Sequence, residues 1–392
     1  MLAKNLKCTA CKTTYSLHEK LIVCSNCGKV LDVEYDLSPI EGKPRDEILR
    51  NDTRSLWRYR ELLPISEERY TVSLGEGMTP LRKASRYAAW MGLSNLALKL
   101  DFLNPTGSFK DRGTSVSISK IKEFGIPAVL DDSSGNAGAS LAAYCAAAGI
   151  ACTLYVPATA PTEKLVQAEI YGAKVVKIAG SRTDVARAAQ DAWKSSDVYY
   201  ASHNLSPFFF DGMKTLAYEI AEDLRLHLPN HMVFAVGGGA LMAGAYKGFQ
   251  DLKNLGWTDR VPRLHCAQSE ACMPIVEAFQ RGSSHVEATA EGETIAGGIR
   301  ISNPGRGDQV LQAIRATKAV AVSVTDEAIL THQRLLSQKE GIFAEPTSCA
   351  ALAGVAKLLE TNAIGSQESV VVPLTGFGLK DIENAVKSLK YG

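Results

Sequence analysis

Lys110 stands in the run Asn104-Pro105-Thr106-Gly107-Ser108-Phe109-Lys110-Asp111-Arg112-Gly113, just after a Pro/Gly turn and at what reads as a helix start. A lysine there lies near open backbone N–H groups and the positive end of the helix. That field lowers the cost of a neutral amine, which Schiff-base chemistry requires. Lys-Asp-Arg taken alone is also an ordinary charged first turn. Two other runs of small residues link a strand-like segment to a helical one. Gly237-Gly238-Gly239-Ala240-Leu241 precedes a helical stretch over 242–250. Residues without side chains let backbone N–H groups close on phosphate oxygens. On its own this loop could equally serve a dinucleotide or be a tight turn, and it is not the full Gly-x-Gly-x-x-Gly fingerprint with an acidic partner. Ser133-Ser134-Gly135-Asn136-Ala137-Gly138-Ala139-Ser140 offers N–H groups and hydroxyls suited to a carboxylate. A Ser/Asn helix cap would look the same.

Near the N-terminus, Cys8 and Cys11 form one knuckle, and Cys24 and Cys27 a second. Each knuckle can aim two thiolates at one tetrahedral ion, so the pair completes a closed four-sulfur site. Zinc is the expected metal, with a rubredoxin-type iron centre as its rival. A site with no open position is structural, and a segment this short cannot fold on core burial alone. The spacer between the knuckles contains Tyr15, Leu17, Leu21, Ile22 and Val23, enough for a short hairpin.

Alternating elements must position these residues. Apolar β-type runs at 128–130, 152–156, 175–178 and 198–201 enclose helical stretches at 137–148, 162–171 and 183–194. Strand–helix–strand at this spacing implies a parallel sheet with right-handed crossovers. A second alternating region has strand-like runs at 232–236, 263–267, 319–324 and 370–374. Residues 36–72 read as a connecting segment packed on the main body. No charged residue lies between Asp132 and Glu163, but Gly135, Gly138, Gly149, Pro157 and Pro161 interrupt the stretch, which reads as loop, helix and buried strand rather than a membrane span.

At 392 residues, more than one domain is expected. With 43 basic against 42 acidic residues, nothing in the charge points to nucleic acid or an acidic membrane surface. The start Met1-Leu2-Ala3-Lys4-Asn5 has no apolar secretory core. The five remaining cysteines sit in apolar contexts at no regular spacing, which suits a reducing cytoplasm.

The Lys110 run resembles the pyridoxal-phosphate lysine motif of the tryptophan-synthase-β-like (fold type II) enzymes, and most closely that of the threonine synthases. The resemblance implies that Lys110 holds the cofactor and that Gly237, Gly238, Gly239, Ala240 and Leu241 cradle its phosphate. It implies that Asn136 hydrogen-bonds the phenolic oxygen, and that Ser133, Ser134, Gly135 and Ala137 grip the amino acid's carboxylate. Leu374-Thr375-Gly376-Phe377-Gly378-Leu379-Lys380-Asp381 resembles the family's C-terminal motif, where the hydroxyl of Thr375 would face the pyridine nitrogen. A neutral hydroxyl does not enforce protonation there, so the implied chemistry is elimination and replacement at Cβ rather than transamination. Glu345-Pro346-Thr347-Ser348 and Ala296-Gly297-Gly298-Ile299-Arg300-Ile301 resemble stretches bordering the cofactor; capping and turn-making explain both nearly as well.

The matching fold is α/β: two open, mostly parallel domains with the cofactor between them, preceded here by a small zinc ribbon. The expected division is a ribbon at 1–36, the first part of a large domain at 37–122, a small α/β domain at 123–205 and the rest of the large domain at 206–392. The family further implies a homodimer acting on a small amino acid, with neither nucleic acid nor membrane as partner.

One segment departs from the family. Where threonine synthases carry Asn-Pro-x-Arg before Glu-Gly-Gln-Lys-Thr, this chain has Ser206-Pro207-Phe208-Phe209-Phe210-Asp211-Gly212-Met213-Lys214-Thr215. Phe209 stands in the place of the arginine and Ser206 in that of the asparagine. Losing a forked cation weakens the case for a phosphorylated substrate, and the three phenylalanines suggest an apolar wall. The Gly-Gly-Gly-Ala-Leu loop is also closer to the serine/threonine dehydratases. Lys214, Arg182 and Arg300 are the cations able to compensate. Two expectations follow: a threonine synthase acting on O-phosphohomoserine, or another β-elimination or β-replacement enzyme (a dehydratase, an ammonia-lyase or a cysteate-synthase-like activity).

Overall fold

The N-terminal segment forms three antiparallel strands, β1 (Ala3–Cys8), β2 (Thr14–Tyr15) and β3 (Leu31–Tyr35), in the order β2-β1-β3. The computed structural model describes residues 2–389 of the chain. The spacer between the cysteine knuckles does not make the expected hairpin of its own. Its strand β2 pairs with β1 instead, and Leu17 and Ile22 turn inward. So small a unit gains more from burying those two side chains than from a free-standing two-stranded ribbon, which is marginal in water.

The chain divides into two units. The first contains Met1–Met78 and Asn104–Thr215; the second contains Thr79–Leu103 and Leu216–Gly392. The boundaries between these two units fall at 78/79, 103/104 and 215/216. The reason is local to the first unit. Helix Lys110–Glu123 lies against helix Pro207–Met213 so closely that a Cβ on Gly113 would come within 2.6 Å of the Phe209 carbonyl oxygen. A Cβ on Gly212 would come within 2.3 Å of the Arg112 carbonyl oxygen. Only glycine permits this approach, so the two helices stay in one body.

Strands β4 (Leu81–Lys83) and β5 (Asn95–Lys99) belong to the second unit. The first unit's larger sheet holds β6 (Ala128–Asp131), β7 (Ala151–Pro157), β8 (Lys174–Ile178) and β9 (Tyr199–Tyr200) in the order β8-β7-β6-β9, all parallel. Helices Asn136–Ala148, Thr162–Ile170 and Arg182–Lys194 connect these strands, as the alternating pattern requires. The core contains Ile118, Ile121, Val129, Leu130, Leu141, Leu154 and Val156, each worth about 1.5–3 kcal/mol when fully buried. The 36–72 segment is a chain of short 3₁₀ turns anchored by Leu56, Trp57, Leu63 and Ile65, which pack with Val116 of the Lys110 helix.

The second unit contains β10 (His231–Ala235), β11 (Arg263–Ser269), β12 (Ala321–Val324) and β13 (Ser369–Pro373). With β5 and β4 they form a six-stranded sheet of order β12-β11-β10-β13-β5-β4, parallel except at the β4–β5 edge. Both β4 and β5 lie outside the strand-like runs read from the sequence: five residues ending in a charged side chain carry little periodicity. Lys99, at the end of β5, is nonetheless fully buried and pairs with Glu219 at 3.1 Å and Asp223 at 2.8 Å. Among the described residues, no helix is long and apolar enough to cross a membrane.

Candidate active site

Lys110 is the first residue of helix Lys110–Glu123 and is half-buried. Its Nζ lies 4.9 Å from the Phe109 ring centroid and 5.7 Å from that of Phe209. The neighbouring charges are not a surface cluster, because Asp111 and Arg112 are both fully buried. Asp111 accepts hydrogen bonds from the Thr106 N–H at 2.7 Å, the Thr106 hydroxyl at 2.6 Å and the Ser140 hydroxyl at 2.6 Å. It therefore ties the turn before Lys110 to the helix that follows the 133–137 loop. Burial pushes its carboxyl up to about 6, against the pull of those three donors. Arg112 Nη1 donates to the Thr215 hydroxyl at 3.3 Å.

The 133–137 loop follows β6 and enters helix Asn136–Ala148. A Cβ on Gly138 would sit 2.2 Å from the Ser133 carbonyl oxygen, so the loop folds tightly over the first helical turn. Ser133, Ser134, Gly135, Asn136 and Ala137 thus come together at the C-terminal edge of a parallel sheet, where open α/β sheets place their ligands.

In the second unit, the glycine loop joins β10 to helix Ala240–Asn254, with Gly239 at φ +90°. A Cβ on Gly237 would meet the Gly298 carbonyl oxygen at 2.8 Å, and the Arg306 N–H donates to the Gly238 carbonyl at 3.1 Å. Thr375 follows β13, also buried. Ser348 at the start of helix Pro346–Glu360 fixes it: the Ser348 Oγ lies 3.0 Å from the Thr375 hydroxyl and accepts the Thr375 and Gly376 N–H groups at 2.9 and 3.0 Å. Thr347 Oγ1 accepts the Gly298 N–H at 3.1 Å, so the two less specific stretches are tied to one another.

Residues 72–376 match the family of pyridoxal-phosphate dependent enzymes. The chain is 38% identical over 383 residues to a protein named threonine synthase from Methanocaldococcus jannaschii, covering 97% of this chain and 94% of that one. It is 40% identical to a protein of the same name from Methanosarcina acetivorans, covering 97% and 93%. The chain belongs to the threonine synthase family of pyridoxal-phosphate dependent enzymes. A solved structure, the processed form of threonine deaminase isoform 2 from Solanum lycopersicum, superposes with a TM-score of 0.70 at 19% identity over 80% of this chain and 83% of that one. It shares the expected fold.

The residues suit the family's cofactor. Ser108, two positions before Lys110, is fully buried and its hydroxyl meets no hydrogen-bond partner among the described residues. A buried hydroxyl of this kind calls for a bound polar group. The glycine loop offers the second requirement, a backbone cradle that side chains would fill.

At the ribbon, the Cys8, Cys11, Cys24 and Cys27 sulfurs all lie within 4.8 Å of one another, a donor set that fits one tetrahedral metal ion. The ribbon also touches the helix bearing Phe209. Phe208 is part of the ribbon's core with Leu6, Leu31 and Val33, and Tyr35 donates its hydroxyl hydrogen to Asp211. The three phenylalanines are therefore not one wall: Phe208 belongs to the ribbon, and Phe209 faces Lys110. Ser206 is the N-cap of this helix, accepting the Phe209 N–H at 3.2 Å.

Sequence reasoning missed Glu76, a fully buried carboxylate. It accepts from Trp57 Nε1 at 3.0 Å, the Ser115 hydroxyl at 2.6 Å and the Tyr144 hydroxyl at 2.8 Å. The Gly75-Glu76-Gly77 turn was its only signal. Asp131 and His203, 3.0 Å apart, were missed for want of any motif.

Proposed function

We propose that this enzyme is a threonine synthase, converting O-phosphohomoserine and water to threonine and phosphate. The observation that carries the reading is the match along nearly the whole chain to proteins of that name. Bound pyridoxal phosphate supplies an electron sink for carbanion chemistry. In this reading Lys110 holds the cofactor and then moves the proton at the substrate's Cα. Gly237, Gly238, Gly239, Ala240 and Leu241 hold the cofactor phosphate, Asn136 its phenolic oxygen, and Thr375 its ring nitrogen. Ser133, Ser134, Gly135 and Ala137 receive the substrate carboxylate. The four cysteines hold a structural zinc ion.

The missing arginine narrows the choice of a phosphate-binding cation. Lys214 is fully buried, 3.5 Å from Asp211 and 3.5 Å from the Tyr35 ring centroid. Arg300 pairs with Glu291 at 2.9 Å. Arg182 opens helix Arg182–Lys194 at the C-terminal edge of the four-stranded sheet and makes no ion pair among the described residues. It is the cation best placed for the substrate phosphate. We further infer a homodimer, which the family implies, and a cytoplasmic location, which the cysteines outside any disulfide suit.

The test is release of inorganic phosphate and threonine from O-phosphohomoserine by the purified holoenzyme. Equimolar release of both is expected. A holoenzyme that leaves this substrate intact but forms a 2-oxo acid and ammonia from serine or threonine would replace the reading with a dehydratase, the alternative that Phe209 favours.

A further inference from the structure

Asp131 and His203 form a buried pair in the first unit to which the reading above assigns no role. Asp131 ends β6, two residues before the 133–137 loop, and His203 follows β9, the strand paired with β6. His203 Nδ1 lies 3.0 Å from Asp131 Oδ2. This contact assigns the proton of the neutral ring to Nδ1, leaving the lone pair on Nε2. Among the described residues Nε2 has no protein hydrogen-bond partner, and the residue keeps 9% of its surface exposed. The imidazole stands edge-on to Phe209, with ring centroids 6.0 Å apart, and Lys110 Nζ lies 5.7 Å from the same Phe209 centroid. A narrow crevice is lined by Thr114, Asp131, Ala137, His203 and Phe209 among others, so it borders both the Lys110 helix and the 133–137 loop.

The charged groups facing the pair are Lys110, Arg182 and Asp132, the last accepting a hydrogen bond from the Tyr200 hydroxyl at 2.8 Å. Burial, reinforced by the Lys110 and Arg182 charges, holds His203 well below the usual imidazole range, so the resting ring is neutral and its Nε2 lone pair unprotonated. Burial pushes the Asp131 carboxyl up to about 6.

We propose that His203 is the proton acceptor for the water that adds to the substrate, with Asp131 as its positioning residue. As the water oxygen bonds to the substrate's Cβ, one O–H bond and the Cα–Cβ π bond break: the water proton passes to His203 Nε2, and the π electron pair goes to Cα, which regains its proton from Lys110. Asp131 keeps the Nδ1–H aligned and balances the imidazolium charge. The ring returns to neutral by giving that proton to the released phosphate, which departs as hydrogen phosphate; hydroxide goes to carbon, and the count of atoms and charge closes. The role rests on the threonine synthase reading. A pair that merely tied β6 to β9 would not need an open Nε2 at the crevice.

Two variants of the holoenzyme and one spectroscopic measurement test this. His203→Asn keeps an N–H donor toward Asp131 and removes the base. It should retain the cofactor's absorbance, lower kcat about 100-fold, leave KM within about twofold and abolish the acidic limb of the kcat–pH profile. Asp131→Asn should lower kcat with the same KM by turning the ring. In the 15N-histidine-labelled holoenzyme, the resonance that disappears in His203→Asn should report a neutral ring protonated at Nδ1, and Asp131→Asn should shift it toward the other tautomer. A wild-type ring protonated at Nε2, or a His203→Asn enzyme with full kcat and an unchanged pH profile, overturns the proposal. If His203→Asn fails to fold, Asp131→Asn and the wild-type spectrum decide. A wild-type enzyme that releases no phosphate instead overturns the threonine synthase reading, so the two failures are distinguishable.

Discussion

Asp111→Asn separates what a buried carboxylate does for this site from what its burial costs. The substitution keeps the side chain's shape and removes its charge. It also turns one of the acceptors serving Thr106 and Ser140 into a donor. Leaving one buried donor unsatisfied costs about 1–3 kcal/mol. Against this stands the ionisation of wild-type Asp111, whose carboxyl is raised by burial from 3.8 to about 6. A raised folded-state value means that this group's contribution is fully present below the unfolded value and is lost as pH rises through about 6. With one unit equal to about 1.4 kcal/mol, the wild type gives up about 3 kcal/mol between strongly acidic and neutral pH, and about 1.3 kcal/mol of that between pH 5 and pH 7. Urea unfolding followed by tryptophan fluorescence at the two pH values should therefore show Asp111→Asn destabilised at pH 5 and closer to wild type at pH 7, by about 1 kcal/mol. A deficit equal at both pH values, or larger at pH 7, would refute the reasoning that Asp111 is ionised against its environment.

Lys110→Ala should abolish the absorbance band of the covalently held cofactor, and a variant that still shows the band sinks the assignment. Arg182→Met should raise KM for O-phosphohomoserine about tenfold or more while leaving kcat within about twofold; steady-state kinetics showing an unchanged KM would remove Arg182 from the phosphate site. Cys24→Ser should lose metal and activity in parallel, because the ribbon's core includes Phe208, next to Phe209; metal analysis beside an activity assay checks it. Ser348→Ala should keep the cofactor but slow turnover, since it releases Thr375 from the hydroxyl 3.0 Å away, and equal kcat in the variant would contradict that.

Local chemistry made much of this protein legible early. The alternating pattern placed β6, β7 and β8 and their helices within a residue or two, because strand–helix–strand periodicity survives any tertiary context. The four cysteines announced their own geometry, since only a closed sulfur site uses two knuckles at that spacing. Short elements were harder to see. The edge β4–β5 is held by pairing to β13 and by the ion pairs of buried Lys99 with Glu219 and Asp223, all distant in sequence.

The run around Lys110 shows where the division falls. Residue types and order alone determined that an amine, a glycine cradle and a hydroxyl were available in the family's sequence, because each motif is a contiguous stretch whose backbone chemistry is local. Only the tertiary structure decided what surrounds them. It buried Asp111 and Arg112, sent Phe208 to the ribbon and Phe209 to Lys110, and brought Asp131 and His203, 72 positions apart in sequence, to 3.0 Å. Those pairings depend on strand order and on helices that meet only where glycines 113 and 212 allow, and no window of neighbouring residues contains that information.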